Sequence, residues 1–133
     1  MVYTVIQLDQ KNMQSERLKD IAIATLEDMK GIEIQVMDVR GLTDITDYMV
    51  VVSGTSDRHV KALADKVLNT LREHEIRPLG VEGKEKSPWV LIDFGDVILH
   101  VMHPKARAFY DLEGLWGEHA KEMVLAQREH QKE

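Results

Sequence analysis

Few places in this sequence set reactive side chains at a spacing that chemistry could use. The first is Ser53-Gly54-Thr55-Ser56-Asp57, which follows the apolar run Tyr48 to Val52 and precedes a helical pattern. The backbone N–H groups at a helix start after a Gly-containing turn can hold an anion. A P-loop needs a Lys-Ser/Thr pair after its glycines, and a dinucleotide fingerprint needs three glycines; neither is present. Helix capping accounts for the same residues: Thr55 or Ser56 suits an N-cap, and Asp57 in the first turn suits the helix dipole. The second place is Asp93 with Asp96. A carboxylate pair on a strand can hold Mg²⁺ only at i and i+2, on one face. Three apart across a turn, these two diverge, and Asp96 is expected to serve the turn itself. Asp44 and Asp47 lie in a polar loop and read as local caps.

The histidines stand at 59, 74, 100, 103, 119 and 130. His100 and His103 are three apart on or beside a strand and so face opposite ways, and no pair on one element has metal-ligand spacing. With no cysteine there is no disulfide, no thiolate metal site and no Cys–His pair, and no Gly-x-Ser-x-Gly elbow is present. Neither a metal nor a cofactor is expected, and the residues point away from an enzyme.

Composition narrows the remaining classes. A chain of 133 residues suits one domain with a sizeable core. With 44% hydrophobic and 30% charged residues it has the balance of a globular domain. No apolar run approaches the roughly 18 residues that span a bilayer. MVYTVIQLDQKN lacks the basic region and apolar run of a secretory signal, so a cytoplasmic location and no membrane partner are expected. The formal net charge of −6 suits a basic protein partner better than a phosphate backbone, and no sequence-specific nucleic-acid binding is expected.

The elements that must position any site follow from hydrophobic periodicity. Residues 1–12 match no helix or strand template and read as an N-terminal extension, a lead-in or an added edge strand. Ser15 is placed to cap a helix whose stripe is Leu18, Ile21, Ala22, Thr25 and Met29, with Gly31 ending it. Residues 33–39 alternate as a first strand, and Tyr48 to Val52 reads as a buried central one. Val60, Leu63, Ala64, Val67, Leu68 and Leu71 give the cleanest helical stripe in the chain. Residues 78–81 form a short strand, 83–88 a charged loop, and 106–115 a helix or turn with Phe109, Tyr110 and Leu112 as packing candidates. From 118 onward the chain is a polar tail, helical or frayed. The order α-β-β-α-β-β-β-α predicts a single α/β domain: a mixed sheet of about five strands flanked by helices.

Trp89 to Met102, WVLIDFGDVILHVM, reads as a hairpin turning on Gly95-Asp96. That loop pairs Trp89 with Met102, Leu91 with His100 and Asp93 with Ile98. Alternation then puts Val90, Ile92, Phe94, Val97, Leu99 and Val101 on one face, a core. Trp89, Leu91, Asp93, Ile98, His100 and Met102 share the other. Either a helix covers this mixed face, with Asp93 and His100 satisfied internally, or it is a partner site. A Trp, two aliphatics, a Met and a few polar groups have the composition of an interface core, while the opposite face supplies the fold's own core.

Several segments resemble the ribosomal silencing factor family, also called Iojap-like. They are Ile45 to Tyr48, Ser53 to Val60, Leu79 to Gly83, Trp89 to Met102 and Tyr110 to Trp116, in the family's order. The resemblance covers nearly all of a domain over 13–117, with 1–12 and 118–133 as extensions. It implies a nucleotidyltransferase-like fold without the catalytic carboxylate pattern. It implies a translational repressor, often homodimeric, that binds the large ribosomal subunit through that subunit's fourteenth ribosomal protein and blocks joining of the small subunit. Trp89, Leu91, Asp93, Ile98, His100 and Met102 are the expected contact residues. The alternative is a nucleotidyltransferase-like enzyme with a phosphate site at Ser53 to Asp57 and metal on the loop aspartates.

Overall fold

A computed structural model describes residues 2–83 and 87–117. The chain runs α1 (Val2–Asp28), β1 (Ile32–Asp38), β2 (Tyr48–Ser53), α2 (Asp57–Glu73), β3 (Gly80–Glu82), β4 (Trp89–Asp93), β5 (Val97–Met102), α3 (Pro104–Tyr110) and α4 (Leu112–Trp116). The five strands form one sheet in the order β1-β2-β5-β4-β3. Only β2 and β5 are parallel; β1, β4 and β3 join them antiparallel, so the sheet is mixed as predicted. β2, between β1 and β5, is buried along its whole length, which is why it reads as an unbroken apolar run.

Helices α1 and α2 pack on one face of the sheet. Leu18, Ala22 and Leu26 of α1 and the predicted stripe of α2, Val60 to Leu71, close over Tyr48, Val50, Val52, Val90, Ile92, Phe94, Val97, Leu99 and Val101. The other face carries a second, smaller core. Met37, Val39, Met49, Val51, Met102 and Leu112 are buried there, with Leu42, Trp89, Ala106 and Trp116 packed against them. The expectation that one face supplies all the core is therefore corrected: α3 and α4 fold back over part of the mixed face.

Helix α1 does not begin at Ser15. It starts at Val2, because no Gly or Pro interrupts the chain before Gly31 and nothing stops the helix upstream. Ser15 sits inside it, 1% exposed, and its hydroxyl donates to Asp47 Oδ2 at 2.9 Å instead of capping. Lys30, at φ +60°, takes the left-handed turn, and Gly31 N–H closes on Leu26 O. The last predicted helix is divided at Asp111, φ +46°, which ends α3 and caps α4 through Gly114 N–H. Residues 84–86 of the charged loop and the tail 118–133 lie outside the described residues.

Candidate functional site

The hairpin has the predicted register, with Trp89 opposite Met102, Leu91 opposite His100 and Asp93 opposite Ile98. Its turn depends on Gly95 at φ +88°, a conformation that glycine alone adopts without cost. The carboxylate that serves the turn is Asp93, whose Oδ1 accepts Gly95 N–H at 2.8 Å. Asp96, assigned that role from the sequence, contributes its backbone instead. Its carbonyl accepts N–H bonds from Asp47 and Tyr48 and so ties the turn to the start of β2.

The six residues of the mixed face do not share one environment. Trp89, Leu91, Asp93 and Ile98 are half-buried. Met102 is fully buried in the second core and His100 is 4% exposed. As the molecule stands, these last two lie behind the surface and support it. Asp93 and His100 do not satisfy each other; Asp93 turns to Gly95, and His100 to Trp89.

Trp89 Nε1–H donates to His100 Nδ1 at 3.0 Å. An indole N–H can only donate, so Nδ1 must keep its lone pair and the imidazole proton sits on Nε2. Nε2 is buried and, among the described residues, has no hydrogen-bond partner. Burial disfavours the charged ring and lowers the His100 pKa to about 4. The indole is therefore held by a neutral histidine at ordinary pH.

The aromatic row continues from Trp89 onto α3. The Tyr110 ring lies 4.6 Å from Trp89, tilted by 46°, and Phe109 meets Tyr110 edge-on at 5.0 Å. Phe109 is 80% and Tyr110 49% exposed. Two aromatic side chains presented to solvent beside a half-buried Trp, with Leu91 on the same strand, have the composition of surfaces that partners cover. The sequence marks Phe109 and Tyr110 only as packing candidates. Their place beside Trp89 is set by how α3 folds back.

Ser53, Thr55, Ser56 and Asp47, from the other candidate sites, are bonded internally. Ser56 is the N-cap of α2, its Oγ accepting His59 N–H at 3.1 Å. Thr55 N–H donates to His59 Nδ1 at 2.9 Å, and His59 Nε2 lies 3.0 Å from Met29 O, clamping the end of α1 to the start of α2. Asp47 accepts from Ser15. Among the described residues, no group of three or more histidine, aspartate or glutamate side chains is arranged to hold a metal ion.

The chain and its fold are similar to those of known proteins. The family model described as "Ribosomal silencing factor during starvation" matches residues 12–133. A Ribosomal silencing factor RsfS of Chromobacterium violaceum is 45% identical over 105 residues, covering 79% of this chain and 86% of that one. The RsfS of Bacillus subtilis is 35% identical over 106 residues, covering 80% and 90%. The mouse protein named Mitochondrial assembly of ribosomal large subunit protein 1 is 32% identical over 81% of this chain and 49% of its own length. A crystal structure of a Chromobacterium violaceum protein superposes with a TM-score of 0.75 at 45% identity, covering 77% of this chain and 85% of that one. The family model covers most of the chain and these relatives cover most of its length, so the chain belongs to the ribosomal silencing factor family.

Proposed function

We propose that this protein is a steric repressor of translation, without catalysis, that docks on the large ribosomal subunit through the fourteenth ribosomal protein and keeps the small subunit from joining. The observation that carries the proposal is the aromatic row from half-buried Trp89 to exposed Phe109, together with Leu91 on β4 and with Ile98 and Asp93 toward the turn. Trp89 is the anchor, since a half-buried indole has much area left to bury on docking. Leu91 and Ile98 flank it, and Asp93, on an acidic domain, raises the encounter rate with a basic partner. His100 and Met102 act from beneath, holding Trp89 in place. The names of the relatives, silencing factors and a large-subunit assembly protein, support a ribosomal partner. No observation favours a nucleotidyltransferase, because Thr55, Ser56 and Asp47 spend their polar groups on internal bonds.

The test is a subunit-joining assay with Trp89→Ala. Trp89 packs on the second core, so the variant loses some stability, and its fold is checked first by thermal melting. The folded variant should bind the large subunit weaker by about 2 kcal/mol or more, roughly thirtyfold. A folded Trp89→Ala protein that blocks joining at parental concentration would exclude this face.

A further inference from the structure

Helix α3 has seven residues, too short to be stable alone, and yet it presents Tyr110 to Trp89. Its anchorage is unusual, because the one buried residue on α3 is not apolar. It is Arg107, 8% exposed. The guanidinium reaches into the far end of the sheet. Nη1 donates to Ser53 Oγ at 3.0 Å, at the end of β2, and to Ile32 O at 3.3 Å, at the start of β1. Nε donates to Glu113 Oε1 on α4 at 2.7 Å. One side chain thus joins α3 to β1, β2 and α4. No signal in the sequence distinguishes it from an ordinary surface arginine.

We infer that Arg107 is a positioning residue for the docking face: its buried fork fixes the rotation of α3 so that Tyr110, three residues on, lies against Trp89. Positions i and i+3 are neighbours on a helix, so a roll of α3 about its axis carries Arg107 and Tyr110 together. The fork resists that roll because its planar donors have fixed directions and three acceptors on three elements. The three bonds of the guanidinium go to Ser53, Ile32 and Glu113 and not to Trp89 or Tyr110. Arg107 acts through Tyr110, and its value to binding is that the aromatic row is already ordered before the partner arrives. The inference rests on the proposed docking face for its functional meaning, but its structural content is testable without the ribosome.

The test replaces Arg107 by Met, which keeps the length of the stem and removes the donors. The first measurement is the indole N–H resonance of Trp89 by NMR, assigned by its absence in Trp89→Phe. It should shift in Arg107→Met while the backbone amides of β3 and β4 stay in place. A resonance at the parental position overturns the inference. The second measurement is binding to purified large subunits. Arg107→Met should weaken it about tenfold, and the loss should vanish in a Tyr110→Ala background, where there is no ring left to position. An equal loss in both backgrounds means that Arg107 acts through general stability, and overturns it. If Arg107→Met does not fold, Glu113→Ala removes one of the three acceptors and leaves two bonds. The same resonance should then move by less, and an unmoved one overturns the inference. If Trp89→Ala binds as the parent does, the docking face is refuted, while the resonance still decides the role of Arg107.

Discussion

Lowering the pH should loosen the fold through His100, by an amount the structure sets. The ring is buried and neutral, its Nδ1 engaged by Trp89, and its pKa is about 4 against an ordinary value of 6.5. The unfolded chain therefore takes up a proton at His100 at a pH where the folded one does not, and stability falls as pH falls. The penalty is absent well above the unfolded value, grows through the interval between the two, and levels off below about 4. The full gap corresponds to about 3 kcal/mol. Between about pH 7 and about pH 5 the worked loss is about 2 kcal/mol, equivalent to a fall in melting temperature of about 6 °C for a chain of this length. Carboxylates also titrate in acid, so the parent alone does not isolate the effect. His100→Asn does: its amide oxygen can accept the Trp89 N–H and does not titrate. Urea unfolding of both proteins at the two pH values gives the double difference. The parent should lose about 2 kcal/mol more than the variant. Equal losses would refute the argument and show that the ring is protonated, or released from Trp89, in the folded state.

Two further perturbations test the frame around the face. Gly95→Val should destabilise the fold by about 1–3 kcal/mol, because φ is +88° there, a conformation that a β-branched side chain adopts only with strain; chemical denaturation measures it, and unchanged stability would mean that the turn relaxes to another type. Ser56→Ala should cost about 0.5–2 kcal/mol through loss of the α2 cap, with large-subunit binding unchanged once folding is corrected for; loss of binding at full stability would make that junction a site.

The local elements were legible because each is dictated by near neighbours in the chain. The α2 stripe, the continuous β2 run and the Gly95 hairpin with its register all follow from periodicity and from one turn residue, and the structure contains them in the predicted order. The family was legible too, since its motifs lie in consecutive segments. The start of α1 was not: Ser15 has the chemistry of a cap, but its hydroxyl finds Asp47, which is distant in sequence and adjacent only in the fold. The division of the mixed face was likewise decided in three dimensions. Alternation put Trp89, Leu91, Asp93, Ile98, His100 and Met102 on one side, and so they are. Which of them solvent reaches depends on how α3 and α4 return across the sheet. Leu112, Ala106 and Trp116 pack that return onto the second core, and Arg107 bonds it to Ser53, Ile32 and Glu113, the first two more than 50 residues away in sequence. Sequence alone thus determined which side chains share a face, because a strand's pleat has a fixed period. Tertiary structure decided which of them a partner can touch, because burial is set by whatever else packs there.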